Sequence, residues 1–146
     1  MIKIQNYING HFVNPTLGNY IDNYNPSNGR VYGQIPNSTN EDVEKAYLAA
    51  EKAFPSWSNT TLATRSKILA KIAELLKSKL HFFAEAESVD NGKPISLAKS
   101  IDIPRAAANF QFFANAITQF SSEAHESVGL NAVNFTLRQS IGVVGC

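Results

Sequence analysis

Val133-Asn134-Phe135-Thr136-Leu137-Arg138, followed after two polar residues by Ile141-Gly142-Val143-Val144-Gly145-Cys146, is the stretch on which the fold class turns. In its first half Val133, Phe135 and Leu137 fall on one face and Asn134, Thr136 and Arg138 on the other, the period-two signature of a strand with unlike faces. The second half, β-branched residues punctuated by glycine, reads as a strand or a tight strand corner in a buried sheet. A strand at that place leaves backbone groups in need of partners, so the chain is expected to be the front part of something larger.

Working outward from there, the N-terminal residues also read as β structure. Tyr7-Ile8-Asn9-Gly10-His11-Phe12 sets Asn-Gly between two apolar-containing runs and predicts a hairpin, since both turn residues must accept positive φ. Residues 20–24 and 31–35 predict a second strand pair around Asn25-Pro26-Ser27-Asn28-Gly29, and Pro36-Asn37-Ser38-Thr39 ends the β part. Helical spacing then takes over. Thr39 and Asp42 form a capping-box pattern before a helix with Val43, Ala46, Tyr47, Ala50 and Phe54 on one face, which Pro55 is expected to stop. Thr61 or one of its neighbours is expected to cap a second helix, whose stripe of Ile68, Leu69, Ile72, Leu75, Leu76 and Leu80 opposes Arg65, Lys67, Lys71 and Lys77. A third helix ends at Asn91-Gly92, and a long aromatic-rich one is expected over 95–120, with Pro104 either kinking it or starting its main part behind Asp102 as cap. Residues 121–130 read as a polar loop and 131–139 as a strand. These readings divide the chain into an N-terminal β part (1–38), a helical part (39–122) and a β part (123–146).

Composition narrows the function. At 146 residues the chain suits one domain, and folding alone would bury about two-thirds of the unfolded surface. Thirteen basic against twelve acidic residues, with no basic block, exclude the electrostatic footprint of a nucleic-acid binder. No segment reads as a signal peptide or membrane span. The single cysteine excludes an internal disulfide framework and fits a reducing compartment, so the cytoplasm is the default expectation.

Few residues stand out chemically. Cys146 has no neighbouring base to make it a thiolate and reads as a small packing residue. His11, His81 and His125 lack ligand spacing, and no glycine-rich phosphate loop precedes a helix. Phe110, Phe112, Phe113 and Phe120, at helical spacing without interleaved Lys or Arg, read as core. Arg105 is unusual because Ile101 and Phe112 place it in an apolar stripe. It either snorkels or pairs with Asp102, or it is an anion site whose fork holds a carboxylate. Asp90, in Asp90-Asn91-Gly92-Lys93-Pro94, is an acid at a helix C-terminus, where the macrodipole disfavours it; it marks a helix stop or a cation ligand.

Taken in order, Tyr7-Ile8-Asn9-Gly10, Asn25 to Val31, Glu41 to Trp57, Asp90 to Pro94 and Ile141 to Gly145 resemble the N-terminal portion of the NAD(P)-dependent aldehyde dehydrogenase superfamily. Asp102-Ile103-Pro104-Arg105 with Asn109-Phe110 is similar to the branch acting on 2-aminomuconic or 2-hydroxymuconic semialdehyde, although Gln111 departs from the arginine expected there. The resemblance implies an α/β fold in which helices of the cofactor domain follow a β-hairpin and precede the first oligomerisation strands. It implies an NAD-dependent oxidation of a small aldehyde, through a cysteine thiohemiacetal and hydride transfer, in a homo-oligomer, dimer or tetramer. The nucleophilic cysteine, the general base and the NAD-binding motifs would lie beyond Cys146, which leaves no catalytic or cofactor-binding residue here. Arg105 and Ile101 would meet substrate, Asp90 with the chain at Asn23 would hold a monovalent cation, and Asn131, Val133, Phe135 and Leu137 would serve oligomerisation. The alternative is a stand-alone, non-catalytic helical interaction module of the same descent.

Overall fold

The computed structural model describes residues 2–146. Three short strands open the chain: β1 (Ile2–Lys3), β2 (Asn6–Ile8) and β3 (His11–Val13). β2 and β3 pair antiparallel with Ile8 opposite His11. Between them Asn9 and Gly10 have φ of 53° and 81°, the left-handed pair that a two-residue hairpin turn requires. β4 (Tyr20–Asn25) and β5 (Arg30–Pro36) form the second antiparallel pair, broken by an irregularity at Asn23/Tyr24. Their connection is a side-chain-built turn: Asn25 Oδ1 accepts from the N–H and hydroxyl of Ser27, and Asn28 Oδ1 accepts from the Arg30 N–H.

The sheet holds one strand that periodicity does not reveal. β1 runs parallel to β5, giving the order β1-β5-β4. Two residues are too few to show a period, and the pairing depends on Gly33, where a Cβ would stand 2.9 Å from the Ile2 carbonyl oxygen.

Five helices follow. α1 (Asn40–Ser58) starts as expected, with the Thr39 N–H donating to Asp42 Oδ2 at 2.8 Å. It does not stop at Pro55, which lies inside the helix. Proline removes one N–H near the helix end, and side chains then secure the last turn: Ser58 Oγ and Asn59 Nδ2 donate to the Pro55 carbonyl, and Arg65 Nη2 donates to that of Ser58 at 2.8 Å. α2 (Leu62–Ser78) is capped by Thr61, whose hydroxyl accepts from the Thr64 N–H. α3 (Leu80–Asn91) ends at Gly92, with φ of 79° and its N–H on the Ser88 carbonyl.

At Pro104 the main part of the final helix starts, one of the two expectations, but it does so out of a widened turn. α4 (Ile95–Leu97), a π turn over Ala98–Asp102 and α5 (Ile103–Ala116) form one run, and the Ile103 N–H reaches back to the Ala98 carbonyl. The wide turn absorbs the proline at the start of α5. Asp102, at the N-cap position, is itself helical, with φ −67° and ψ −54°, and its side chain makes no capping hydrogen bond. The helix closes at Ala116, short of Phe120.

The polar loop expected at 121–130 instead contains β6 (Ala124–Ser127) and a 3-10 turn, Val128–Leu130. β7 (Ala132–Phe135) pairs antiparallel with it, Ala124 opposite Phe135. The strand is therefore shorter than 131–139: Asn131 is a left-handed turn residue, and Leu137 lies past its end. Residues 141–146 form no strand, because no described residue pairs with them.

The core is thin. Ala84, Ala98 and Ile103 pack with Leu80 and Phe83, while Ala73, Ala107 and Ala114 are buried where the small residues of α2 and α5 allow close approach. Among the described residues no large side chain is completely buried. The chain exposes 11005 Å², against roughly 7,400 Å² for a compact monomer of 16.0 kDa. About half of the unfolded surface is buried rather than the expected two-thirds.

Candidate functional site

Arg105 lies on the first turn of α5, just past the π turn. It is exposed, and no described group hydrogen-bonds or ion-pairs with it. The expected partner is otherwise engaged: Asp102 Oδ2 receives Lys93 Nζ at 2.7 Å. Ile101, one turn earlier, is 49% exposed and Phe112 is 64% exposed. The stripe thus presents an unpaired guanidinium among apolar side chains to open space, an arrangement able to bind an organic carboxylate through two charge-assisted hydrogen bonds. Phe112 and Phe113, read as core, are both surface residues here, packed edge to face on each other with ring centroids 5.2 Å apart.

Lys93 belongs to this cluster, and isolated spacing did not single it out. Its Nζ also lies 3.2 Å from Glu87 Oε1, its N–H donates to Asn91 Oδ1, and its carbonyl accepts from Ser88 Oγ at 2.7 Å. The two carboxylates, Asp102 first, raise the lysine's pKa above its ordinary value.

A second polar cluster joins the sheet to α3. Asn23 Nδ2 donates to Asp90 Oδ1 at 3.0 Å and to the Tyr32 hydroxyl oxygen at 2.8 Å, while the Tyr32 hydroxyl donates to Asp90. The Tyr32 bond, then the Asn23 bond, lower the Asp90 pKa; the same carboxylate pushes the tyrosine up to about 12. The structure thus brings Asn23 and Asp90 together through the Asn23 side-chain amide. Beside them lies an open groove of about 660 Å³, lined mainly by Ile2, Ile4, Phe82, Phe83, Val89 and Ile103.

The third cluster fastens the N-terminal hairpin. Asp42 is buried, 4% exposed, and Oδ1 accepts from the Thr16 N–H and hydroxyl while Oδ2 accepts from the Thr39 N–H and hydroxyl. These bonds, the Thr39 N–H first, lower its pKa to about 2. Its capping role was legible in the pattern; its grip on Thr16, distant in sequence, was not.

Val133, Phe135 and Leu137 are 65 to 71% exposed, and Asn131 is exposed as well. Cys146 is an exposed free thiol. His81 pairs with Glu85 at 3.0 Å, and among the described residues no three His, Cys, Asp or Glu side chains gather as a metal site. No described helix is long and apolar enough to cross a membrane.

The aldehyde dehydrogenase family model matches residues 12–146. The chain belongs to the aldehyde dehydrogenase family. It is 41% identical over 145 residues to the 2-aminomuconic semialdehyde dehydrogenase of Homo sapiens, a match covering 99% of this chain and 29% of that protein. It is 37% identical to the 2-hydroxymuconic semialdehyde dehydrogenase of Pseudomonas sp. (strain CF600), over 99% of this chain and 31% of that one. Among solved structures, PnpE in complex with nicotinamide adenine dinucleotide superposes with a TM-score of 0.82 at 32% identity, covering 85% of this chain and 26% of PnpE. The NAD-dependent aldehyde dehydrogenase from Sinorhizobium meliloti gives 0.83 at 30% identity, over 90% and 26%. The fold is that of aldehyde dehydrogenases, and the chain spans about three-tenths of the length of the curated relatives it matches.

Proposed function

We propose that this chain is the N-terminal segment of an NAD-dependent dehydrogenase that oxidises a small carboxylated semialdehyde to an acid, and that the segment alone is inactive. The observation that carries the reading is the 41% match to a 2-aminomuconic semialdehyde dehydrogenase over 99% of this chain and only 29% of that enzyme. When bound, NAD accepts the hydride; the residues of this segment bind and orient. Arg105, with Ile101 beside it, holds the substrate's carboxylate in a region where apolar neighbours strengthen the charge-assisted bonds. The large exposed apolar surface supports a segment that packs against further chain, and it speaks against the stand-alone interaction module, which would need a closed core of its own. On this reading residues 1–38, 39–122 and 123–146 are an N-terminal β part, helices of the cofactor domain and the start of an oligomerisation arm. Asn131, Val133, Phe135 and Leu137 contribute to a dimer or tetramer contact.

Asp90, with the main chain around Asn23, would hold a monovalent cation. A higher melting temperature in potassium than in choline chloride at equal ionic strength supports that site, and equal values remove it.

The main test is direct. The purified 146-residue chain, mixed with NAD and an aldehyde, is expected to give no NADH absorbance; turnover by the chain alone would sink the proposal. In the full-length enzyme carrying this segment, Arg105→Ala is expected to raise KM for a carboxylated aldehyde by about 10- to 100-fold, the loss of one charge-assisted contact. A neutral aldehyde should be little affected, and equal effects on both would return Arg105 to a snorkelling role.

A further inference from the structure

We propose that Lys93 is a positioning residue: by engaging the Asp102 carboxylate it keeps the Arg105 guanidinium free for an anionic group. The inference rests on the reading of Arg105 as the substrate-carboxylate residue and adds the device that keeps it available. Asp102 and Arg105 are three apart on one helical run, a spacing at which acidic and basic side chains are neighbours and ordinarily pair. Such a pair would neutralise the guanidinium and occupy its fork.

The structure instead shows Asp102 turned to Lys93 Nζ at 2.7 Å, with Arg105 unpaired among the described residues. The lysine is pre-set for this contact. Gly92, in the left-handed conformation, turns the chain at the end of α3, and the bonds to Asn91 and Ser88 hold the Lys93 backbone. The Lys93 side chain is 27% exposed and that of Asp102 31%, so solvent screens their attraction less than it would a pair on the open face of Arg105. The other charged group facing the ammonium is Glu87, from α3. The π turn ends at Asp102 itself, at the point where the helix passes from the Lys93 cluster to the Arg105 face. Turns of this kind recur where a helix serves function.

Availability of Arg105 can be measured on the 146-residue chain by phenylglyoxal labelling, read at that residue by peptide mass spectrometry. Lys93→Met frees Asp102 and is expected to lower Arg105 labelling by about threefold, the population effect of one exposed ion pair. Lys93→Arg should keep the wild-type rate. The double variant Lys93→Met/Asp102→Asn should recover it, which a merely structural lysine would not allow. Unchanged or faster labelling in Lys93→Met, or no recovery in the double variant, overturns the proposal; if the Met variant does not fold, Lys93→Gln is read in the same way. The labelling pattern can hold while Arg105→Ala fails to discriminate between aldehydes, so the two ideas fail separately.

Discussion

The part of the chain up to Ala116 and the part beyond it both carry apolar residues in regular patterns, yet only the first buries any of them fully. α2 and α5 present complementary stripes, and Ala73, Ala107 and Ala114 disappear between them. Val133 and Phe135 have the same kind of one-sided pattern on β7, but their strand meets only β6, and both remain more than three-fifths exposed. An amphipathic pattern states that a face needs covering; whether it is covered depends on a partner surface being within the chain. The same contrast holds for polar groups. Asp42, Asp90 and Lys93 each join segments distant in sequence or successive helices, whereas the terminal hairpin relies on its backbone ladder and on Arg138 stacked over the Phe120 ring at 4.5 Å.

The sharpest way to break this comparison is a pair of truncations. Ile103→Ala, in the core beside Ala84 and Ala98, is expected to cost about 3 kcal/mol in urea unfolding, whereas Phe135→Ala should stay within about 0.5 kcal/mol. A comparable loss at Phe135 would mean that the hairpin packs on something in this chain or on a second copy. Next in size is Gly92→Ala, expected to cost about 1–2 kcal/mol because a Cβ is strained at φ of 79° and would also sit 3.1 Å from Pro26 Cβ. Thr61→Ala, which removes the N-cap of α2, should cost about 1 kcal/mol by the same measurement.

The pH limbs sharpen the contrast last. The Asp42 pKa is lowered in the folded chain, so its contribution is present above the unfolded value of 3.8 and is lost as pH falls from there through about 2. Asp42→Asn is expected to flatten that acid limb in a melting series, and an unchanged limb would show that another carboxylate dominates it. Tyr32 acts in the opposite sense. Its raised pKa makes a contribution complete below the unfolded value of 10.0 and lost as pH climbs through about 12, an alkaline limb that Tyr32→Phe should remove.

Legibility followed the range of the signals. The Asn9-Gly10 turn and the Thr39, Thr61 and Gly92 helix ends were readable, because each depends on dihedral preferences or hydrogen bonds spanning a few residues; the α2 stripe was legible only in part, since Ile68 and Leu75 are exposed and Arg65 is half-buried. The π turn at Pro104 was not, since proline permits a kink, a start or a widened turn and only the packing of Ala98 and Ile103 against α3 selects among them. β6 was missed because Ala124-His125-Glu126-Ser127 has no β-branched alternation and becomes a strand through pairing with β7. The expected strand at 141–146 had the propensity and lacked the neighbour. Within the site, Arg105 was conspicuous as a charge in an apolar stripe, but the spacing suggested Asp102 as its partner and gave no sign that Lys93 would claim that carboxylate.

By itself, then, the sequence determined the N-terminal hairpin, the β4–β5 pair, the succession of helices with the starts at Thr39 and Thr61 and the stop at Gly92, and the motifs that mark the aldehyde dehydrogenase family, all of which follow from local preferences and from motifs kept in register. Only the tertiary structure decided that β1 joins β5, that Asp42 holds Thr16, that Asp90 receives Asn23 and Tyr32, and that Arg105 stands free. Each of these depends on which distant groups meet and compete for the same oxygen or the same sheet edge, and that competition is settled by packing.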